Sequence, residues 1–349
     1  MTLEQPEMQT GFINLSVTPN KKLRAEIQQL PLKKLKLDLN NVRFHHRAEH
    51  LTDAQIEKEI WEEDDTKFLL REILASRGLS EPPIVNSNLV VVEGNRRVVC
   101  LRKLSEKTHK GEYSDKYSDI TQDHWDTVTC HVLPGDTPEK DIAILLGRLH
   151  VSGKKEWAAL NQAAHIYELA NKYGATQEDI REYLSMSKAT VNHMIQAFKA
   201  TTEYGEKYPE SGSWIYKFSY FYEMYKRKPL REWLETNGNS AKFQDWLGKG
   251  KLTRGMEVRQ LPDIIVMPEA LHAMDSGGFA AALKLLQKSD PAIGNKFYAR
   301  VKDMVEQLNN VPREELIETG NDATRISSLQ KLRDTVDEVL RNVAAIKQR

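Results

Sequence analysis

The stretch "VVVEGNRRVVCLRKL", residues 90–104, changes its period halfway along. Val90 to Glu93 read as a strand. Beyond Gly94, the apolar residues Val98, Val99, Leu101 and Leu104 recur at helical spacing, so a helix is predicted to begin near Asn95. A glycine at a strand-to-helix turn permits close backbone approach, and the helix start offers N–H groups with no intrahelical acceptor. Arg96 and Arg97 follow at once, and their forked guanidinium donors suit phosphate or carboxylate oxygens. The motif is an anion grip. The anion is a nucleotide, a DNA phosphate or a neighbouring carboxylate.

Outward from this motif, the patterning predicts an α+β fold. "LPLKKLKLDL", residues 30–39, alternates as a short strand does. Residues 53–77 carry Ile56, Ile60, Phe68, Leu69, Ile73 and Leu74 at helical spacing, with Gly78 as the stop. "PPIV", residues 89–92 and residues 125–133 supply the remaining β-like runs. Together these make a small α/β domain over 30–138, preceded by a weakly periodic tail, 1–29. From Glu139 strand signals almost vanish, and 139–265 reads as a helical domain. Within it, residues 204–246 hold 12 of the 27 aromatic residues, so 201–245 reads as an aromatic-rich insertion. Phe218, Phe221, Tyr222 and Tyr225 stand at helical spacing, which favours a packing core over a base-stacking platform. Residues 266–349 form a helical C-terminal region. Its last helix spaces Ile326, Leu329, Leu332, Val336, Val339, Leu340 and Val343 by threes and fours, as pairing with another helix requires.

Composition narrows the function classes. Lys plus Arg and Asp plus Glu are both 50, so attraction to nucleic acid must come from a local patch. The densest basic stretch is "YKRKPLR", residues 225–231, which either touches DNA backbone or is a solvated helix end. Two cysteines, Cys100 and Cys130, lie far apart with no histidine pair nearby, which argues against zinc or a disulfide framework and for a reducing cytosol. His45 and His46 read as surface residues, and no metal site is expected. The acidic run from Glu62 to Asp65 reads as a solvated face, since four adjacent helical acids diverge. No apolar run reaches membrane-spanning length, and no signal segment is visible.

"ATQEDIREYLSMSKATVNHMIQAFK", residues 175–199, carries the second functional signal. Thr176 caps a helix with Asp179 three residues on, and Ile180, Tyr183 and Leu184 face inward. Ser185 and Met186 turn the chain, Ser187 caps a second helix, and Val191, Ile195 and Phe198 face inward. Lys188, Thr190, Asn192, His193, Gln196 and Lys199 then face solvent, with Thr176 and Gln177 beside them. A plain helical hairpin would also show the apolar stripe. The order of caps, small-residue turn and polar outer face favours a helix-turn-helix on double-stranded DNA.

Both stretches meet in one family. The chain resembles the ParB-like proteins, whose N-terminal domain has the ParB/sulfiredoxin fold. "LPLKKLKLDLNNVRF" is similar to the opening strand and turn. "LLREILASRGLSEPPIV" is similar to the helix and Gly-x-x-Gln-Pro segment. "EGNRR" is similar to the Gly-Glu-Arg-Arg box, and 173–198 to the helix-turn-helix. "GKGKLTRGMEVRQLPDII" is a weaker match to the helical segment that follows. The resemblance implies a nucleoside triphosphate, CTP with Mg2+, that closes a homodimeric clamp on DNA in a cytoplasmic, nucleoid-associated protein. By position, Gly78, Glu81 and Pro82 would lie at the base end, and Gly94, Asn95, Arg96 and Arg97 at the phosphates. Glu81 stands where the family has glutamine and Asn95 where it has glutamate, which leaves base choice and hydrolysis open. The family's Glu-Asn-x-x-Arg box is replaced by "LLGRLHVSGKKEW", where Arg148, His150 and Lys154 can serve an anion. The implied role is partition or regulation of a plasmid, phage or mobile element. The rival readings are a nuclease or nucleoside triphosphatase of a mobile-element or defence system, and a plain helix-turn-helix regulator. Cys100 falls in the helix after the box and faces the core, so sulfiredoxin-type thiol chemistry is not expected.

Overall fold

The computed structural model describes residues 11–39, 51–112, 117, 119–121, 123–151, 157–209, 214–290, 293, 295–309 and 311–347. The turn at 40–43, His45, His46 and Lys154 lie outside the described residues. The chain divides into two compact units, 1–259 and 260–349.

The first unit is built on a mixed sheet of six strands in the order β1-β2-β6-β4-β5-β3. β1 (Gly11–Thr18) and β2 (Lys21–Pro31) form an antiparallel hairpin, and β2 pairs antiparallel with β6 (Thr127–Val132). β4 (Ile84–Val85) lies parallel to β6 and antiparallel to β5 (Val90–Glu93), while β3 (Lys36–Leu37) closes the edge parallel to β5. Residues 11–29 are therefore not a tail but the hairpin that completes the sheet. Its signal was weak because the inner face is narrow: Val17, Leu23 and Ala25 are buried among exposed polar neighbours. The strand expected at 30–39 is also corrected. β2 ends at Pro31, Leu32–Lys34 make a single 3-10 turn, and only Lys36–Leu37 pair. Proline ends the ladder by lacking an N–H, and the turn seats Leu32 and Leu35 in the core.

Three helices cover the sheet. α1 (Asp53–Glu62) and α2 (Asp64–Ser76) replace the one helix read from the pattern, and the break falls at Glu63, whose backbone is extended. Arg77, not Gly78, takes the left-handed stop, with φ 60°. Phe68, expected inward, is 62% exposed, and Leu70 is buried instead. α3 (Asn95–His109) starts where the sequence placed it. Ile56, Ile60, Leu70, Val98, Leu101 and Leu104 pack with Val85, Val91 and Cys130 of the sheet as one core.

Beyond Glu139 the first unit is helical. α4 (Glu139–His150) and α5 (Ala159–Asn171) lead into α6 (Gln177–Leu184) and α7 (Lys188–Lys207). α8 (Phe218–Tyr225), α9 (Lys228–Glu235) and α10 (Asn239–Gly248) follow. The aromatic-rich segment is a packing core, as periodicity indicated: Phe221 meets Phe243 edge-on at 5.5 Å and Trp233 stacks on Trp246 at 5.5 Å. The hairpin is fastened to α4 by Lys21 Nζ, 2.5 Å from Asp141 Oδ2.

The second unit holds α11 (Leu261–Val266), α12 (Pro268–Gly277), α13 (Phe279–Ser289), α14 (Lys296–Asn309), α15 (Arg313–Gly320) and α16 (Ala323–Lys347). α12 and α13 pack through Ala270, Met274, Ala282 and Leu286. α14 and α16 instead display their apolar residues: Phe297, Val301 and Met304 on one, Leu329, Val336, Val339 and Val343 on the other, are exposed. No helix among the described residues is long and apolar enough to cross a membrane.

Candidate functional site

A cleft of about 850 Å³ opens where α2, the β5–α3 turn, α4 and α5 meet. The β5–α3 turn forms its floor. Gly94 adopts φ +96° as the N-cap of α3, and a Cβ there would sit 3.0 Å from the Arg97 guanidinium and 3.2 Å from Pro83 Cα. Both the left-handed backbone and the lack of room require glycine. The cap offers no side chain to the first N–H groups of α3, and Gly94 to Arg97 line the cleft.

Each predicted anion ligand on α3 has a defined place. Asn95 is 7% exposed and spans two strands: its Nδ2 donates to Val91 O at 2.8 Å and its Oδ1 accepts from Asp38 N at 3.0 Å. Its side chain braces the end of β3 against β5. The Arg97 side chain is 8% exposed; Nη1 donates to Glu81 Oε2 at 3.0 Å and Nη2 to Glu93 Oε2. Burial pushes this guanidinium below the usual arginine range, while Glu81 acts in the other direction. Arg96 reaches across to the α1–α2 joint, with Nη2 3.1 Å from Glu63 Oε2 and Nη1 3.8 Å from Asp65 Oδ2. Two acids of the run read as a solvated face thus hold an arginine. The break between α1 and α2 turns Glu63 toward Arg96, while Asp65, Asp64 and Glu62 stay exposed as the solvated face.

Gly78, Gly94, Asn95, Arg96 and Arg97 line the cleft together. Glu81 joins them through Arg97, while Pro82 and Arg148 are not among the lining residues. On α4 the cleft-lining positions are Glu139, Ile142, Ala143, Leu146 and His150, spaced by threes and fours, which leaves Arg148 on another side of the helix. His150 Nε2 stands 3.5 Å from Glu93 Oε1, and its ring stacks on Trp157 at 4.6 Å. Trp157 in turn meets His165 edge-on at 5.2 Å, and His165 Nε2 donates to Ala143 O at 2.8 Å. This chain from Arg97 through Glu93, His150, Trp157 and His165 ties the grip to α4 and α5. The sequence carried a partial signal for it, the tryptophan and histidines after the domain boundary.

The cleft suits a polyphosphate in its arginines and helix start, yet it is lined by Asp38, Asp65, Glu72, Glu93, Glu139 and Glu168 as well. An entering anion must exchange with carboxylates already on Arg96 and Arg97. Among the described residues no group of three or more His, Cys, Asp or Glu side chains is arranged as a metal cage. Both thiols are inert: Cys100 and Cys130 are fully buried, and burial pushes each up to about 12.

The second candidate site is the pair α6–α7, joined by residues 185–187. Thr176 and Asp179 form a reciprocal capping box, with Thr176 N donating to Asp179 Oδ2 at 2.9 Å and Asp179 N to Thr176 Oγ1 at 3.1 Å. Ser185 turns the chain at φ 52°, and Ser187 Oγ accepts from Thr190 N at 3.0 Å. Thr176 and Ser187 thus act as caps, and the Thr190 hydroxyl lies 2.8 Å from Ser187 Oγ. Gln177 Nε2 donates to Asn192 Oδ1 at 3.2 Å and links the two helices. The inward stripe of α7 is Val191, Met194, Ala197 and Tyr204; Ile195 and Phe198, expected inward, are only half-buried. Lys188 and Lys199 are exposed, while His193 is half-buried beside α9. α4 connects the two sites. A Cβ at its Gly147 would lie 2.7 Å from Leu184 Cδ2, the last residue of α6, so these helices pack without spare room.

No family model matches the chain, and no curated protein matches it. Solved structures of ParB proteins are similar to it at low identity. The C-terminally truncated chromosome-partitioning protein ParB from Caulobacter crescentus, complexed to the centromeric parS site, aligns with 68% of this chain and 98% of its own at 13% identity and TM-score 0.36. A Pnob8-like ParB-N domain aligns with 64% of this chain and 94% of its own at 11% identity and TM-score 0.37. The truncated Caulobacter crescentus ParB complexed with CTP-gamma-S aligns with 58% of this chain and 93% of its own at 15% identity and TM-score 0.21. At these values the likeness carries no functional weight of its own, and function rests on this chain's residues.

Proposed function

We propose that this chain is a ParB-like DNA-binding protein whose cleft takes a nucleoside triphosphate, CTP by resemblance, to gate the grip of a helix-turn-helix, α6–α7, on duplex DNA. The observation that carries this reading is α4. One face lines the cleft through Ile142, Leu146 and His150, and Gly147 packs directly on Leu184 of α6. A change in the cleft that shifts α4 must repack the helix pair, because close-packed contacts do not deform continuously. The ordered motifs of the sequence point the same way. Phosphate oxygens replace Glu81 and Glu93 on Arg97, and Glu63 and Asp65 on Arg96; the released Glu93 frees His150 of α4. Gly78 lies at the base end. The exposed seam of α16 is the contact between two copies in the clamp. Plasmid, phage or mobile-element partition or regulation is the setting this activity suits.

Calorimetric titration with each of the four nucleoside triphosphates, with and without duplex DNA, tests the reading. One nucleotide binds, Arg96→Ala abolishes that binding, and the parent protein leaves DNA uncut. Magnesium-dependent cutting of plain duplex would overturn the clamp in favour of a nuclease. A plain regulator has its own supporting observation, the carboxylates already on both arginines. It predicts DNA binding with no response to any nucleotide.

A further inference from the structure

We propose that Arg231 of α9 is a fixed phosphate-contact residue at the flank of the DNA-binding face, seated beside His193 of α7. This rests on the DNA-binding reading above and extends it to the aromatic-rich segment, which no motif explains. Arg231 Nη1 donates to Tyr225 O at 2.7 Å and lies 3.4 Å from His193 Nε2. A guanidinium only donates, so His193 presents a lone pair at Nε2 and carries its proton on Nδ1. Those contacts use one nitrogen. Among the described residues, Nε and Nη2 of Arg231 have no acceptor and no carboxylate lies within ion-pair distance of it.

That sets Arg231 apart from its neighbours. Glu223, on the preceding helix, takes Arg227, Lys226 and Arg259. Arg97 and Arg102 are each held by two acids. Arg231 is half-buried with its charge unspent, and the backbone carbonyl that holds it lowers the entropy lost on meeting a ligand. Its mount is rigid. Leu230 is fully buried beside it, and Trp233 two residues on stacks on Trp246. The aromatic-rich segment is therefore a bracket that holds one cation against α7. The ligand is a backbone phosphate of duplex DNA rather than a base edge. Asn192 and Gln196 of α7 are half-buried, with Asn192 held by Gln177; Lys188 and Lys199 are exposed, and Arg231 stands beside His193. Phosphates flank any base that the helix reads.

The test is the salt dependence of binding to a short duplex of mixed sequence, read by fluorescence anisotropy. Each phosphate contact contributes about 0.9 to the slope of log affinity against log salt. Arg231→Ala and Arg231→Gln lower that slope by about 0.9 and weaken binding several-fold at every sequence tried. Arg231→Lys keeps the charge and restores the slope, and thermal melts of the variants establish that they fold. An unchanged slope in Arg231→Ala and Arg231→Gln, whether or not affinity falls, overturns the inference while parent binding leaves the DNA reading standing. If neither the parent nor Lys188→Ala binds duplex at any salt, the DNA reading falls and this inference falls with it.

Discussion

Asn95→Ala separates a structural asparagine from a ligand-binding one. The side chain makes two hydrogen bonds to backbone, one with Val91 O and one with Asp38 N, and it is buried between them. A hydrogen bond of this kind contributes about 0.5–1.5 kcal/mol net, and polar groups left unpaired raise the loss, so deletion costs roughly 2–3 kcal/mol. Alanine's better helix propensity offsets at most about 0.7 kcal/mol of that. The net of about 2 kcal/mol lowers the melting temperature of the first unit by roughly 4–8 °C, taking about 2–4 °C per kcal/mol for a domain of this size. Asn95→Glu, which introduces the glutamate of the ParB-like box, destabilises more than alanine, because a longer anionic group replaces the donor to Val91 O. The assays are calorimetric melting and nucleotide titration on the same samples. Nucleotide affinity measured well below the melting temperature changes little in Asn95→Ala. A melting temperature within about 1 °C of the parent, together with lost nucleotide affinity, would refute the bracing role and return Asn95 to the ligand.

Three further outcomes follow from the geometry. Neither Cys100 nor Cys130 reacts with a thiol reagent in the native protein at mildly alkaline pH, because both thiols are buried and pushed up to about 12; both react after denaturation. His131 and His193 are held below the ordinary histidine range, first by burial and then by Arg97 for His131 and by Arg231 and Lys226 for His193. A histidine with a lowered folded pKa contributes stability in full above the unfolded value of about 6.5, and that contribution is lost as pH falls below it. Urea titrations therefore show stability declining from about pH 6.5 downward, with a shallower slope in His131→Gln. Val339→Asp places a charge in the exposed seam of α16 and converts the sedimenting species from dimer to monomer; a parent protein already monomeric at high concentration would dismiss the seam as a self-contact.

The legible parts of this protein are those whose cause is local. The switch from strand to helix at Gly94 follows from a change of period and a glycine, and the helix begins at Asn95 as read. The caps at Thr176 and Ser187 follow from side chains that reach N–H groups three residues on. Residues 11–29 were obscure because a hairpin with a narrow buried face has too few apolar residues to stand out. Phe68 looked like a core residue because it shares the helical spacing of Leu69, Ile73 and Leu74, yet it lies at the edge of that stripe, where it is exposed at the cleft.

The sequence by itself determined the α+β class with its helical remainder, the start of α3 at Asn95 and the capped helix pair, since short-range periodicity and capping chemistry suffice for each. Only the tertiary structure decided what those parts hold. It spent Asn95 on β3 and β5, gave Arg96 to Glu63 and Asp65 and Arg97 to Glu81 and Glu93, put His150 rather than Arg148 at the cleft, and set Arg231 against His193. These partners are brought together by strand pairing and helix packing, and the sign and strength of an electrostatic contact depend on distances that no local pattern encodes.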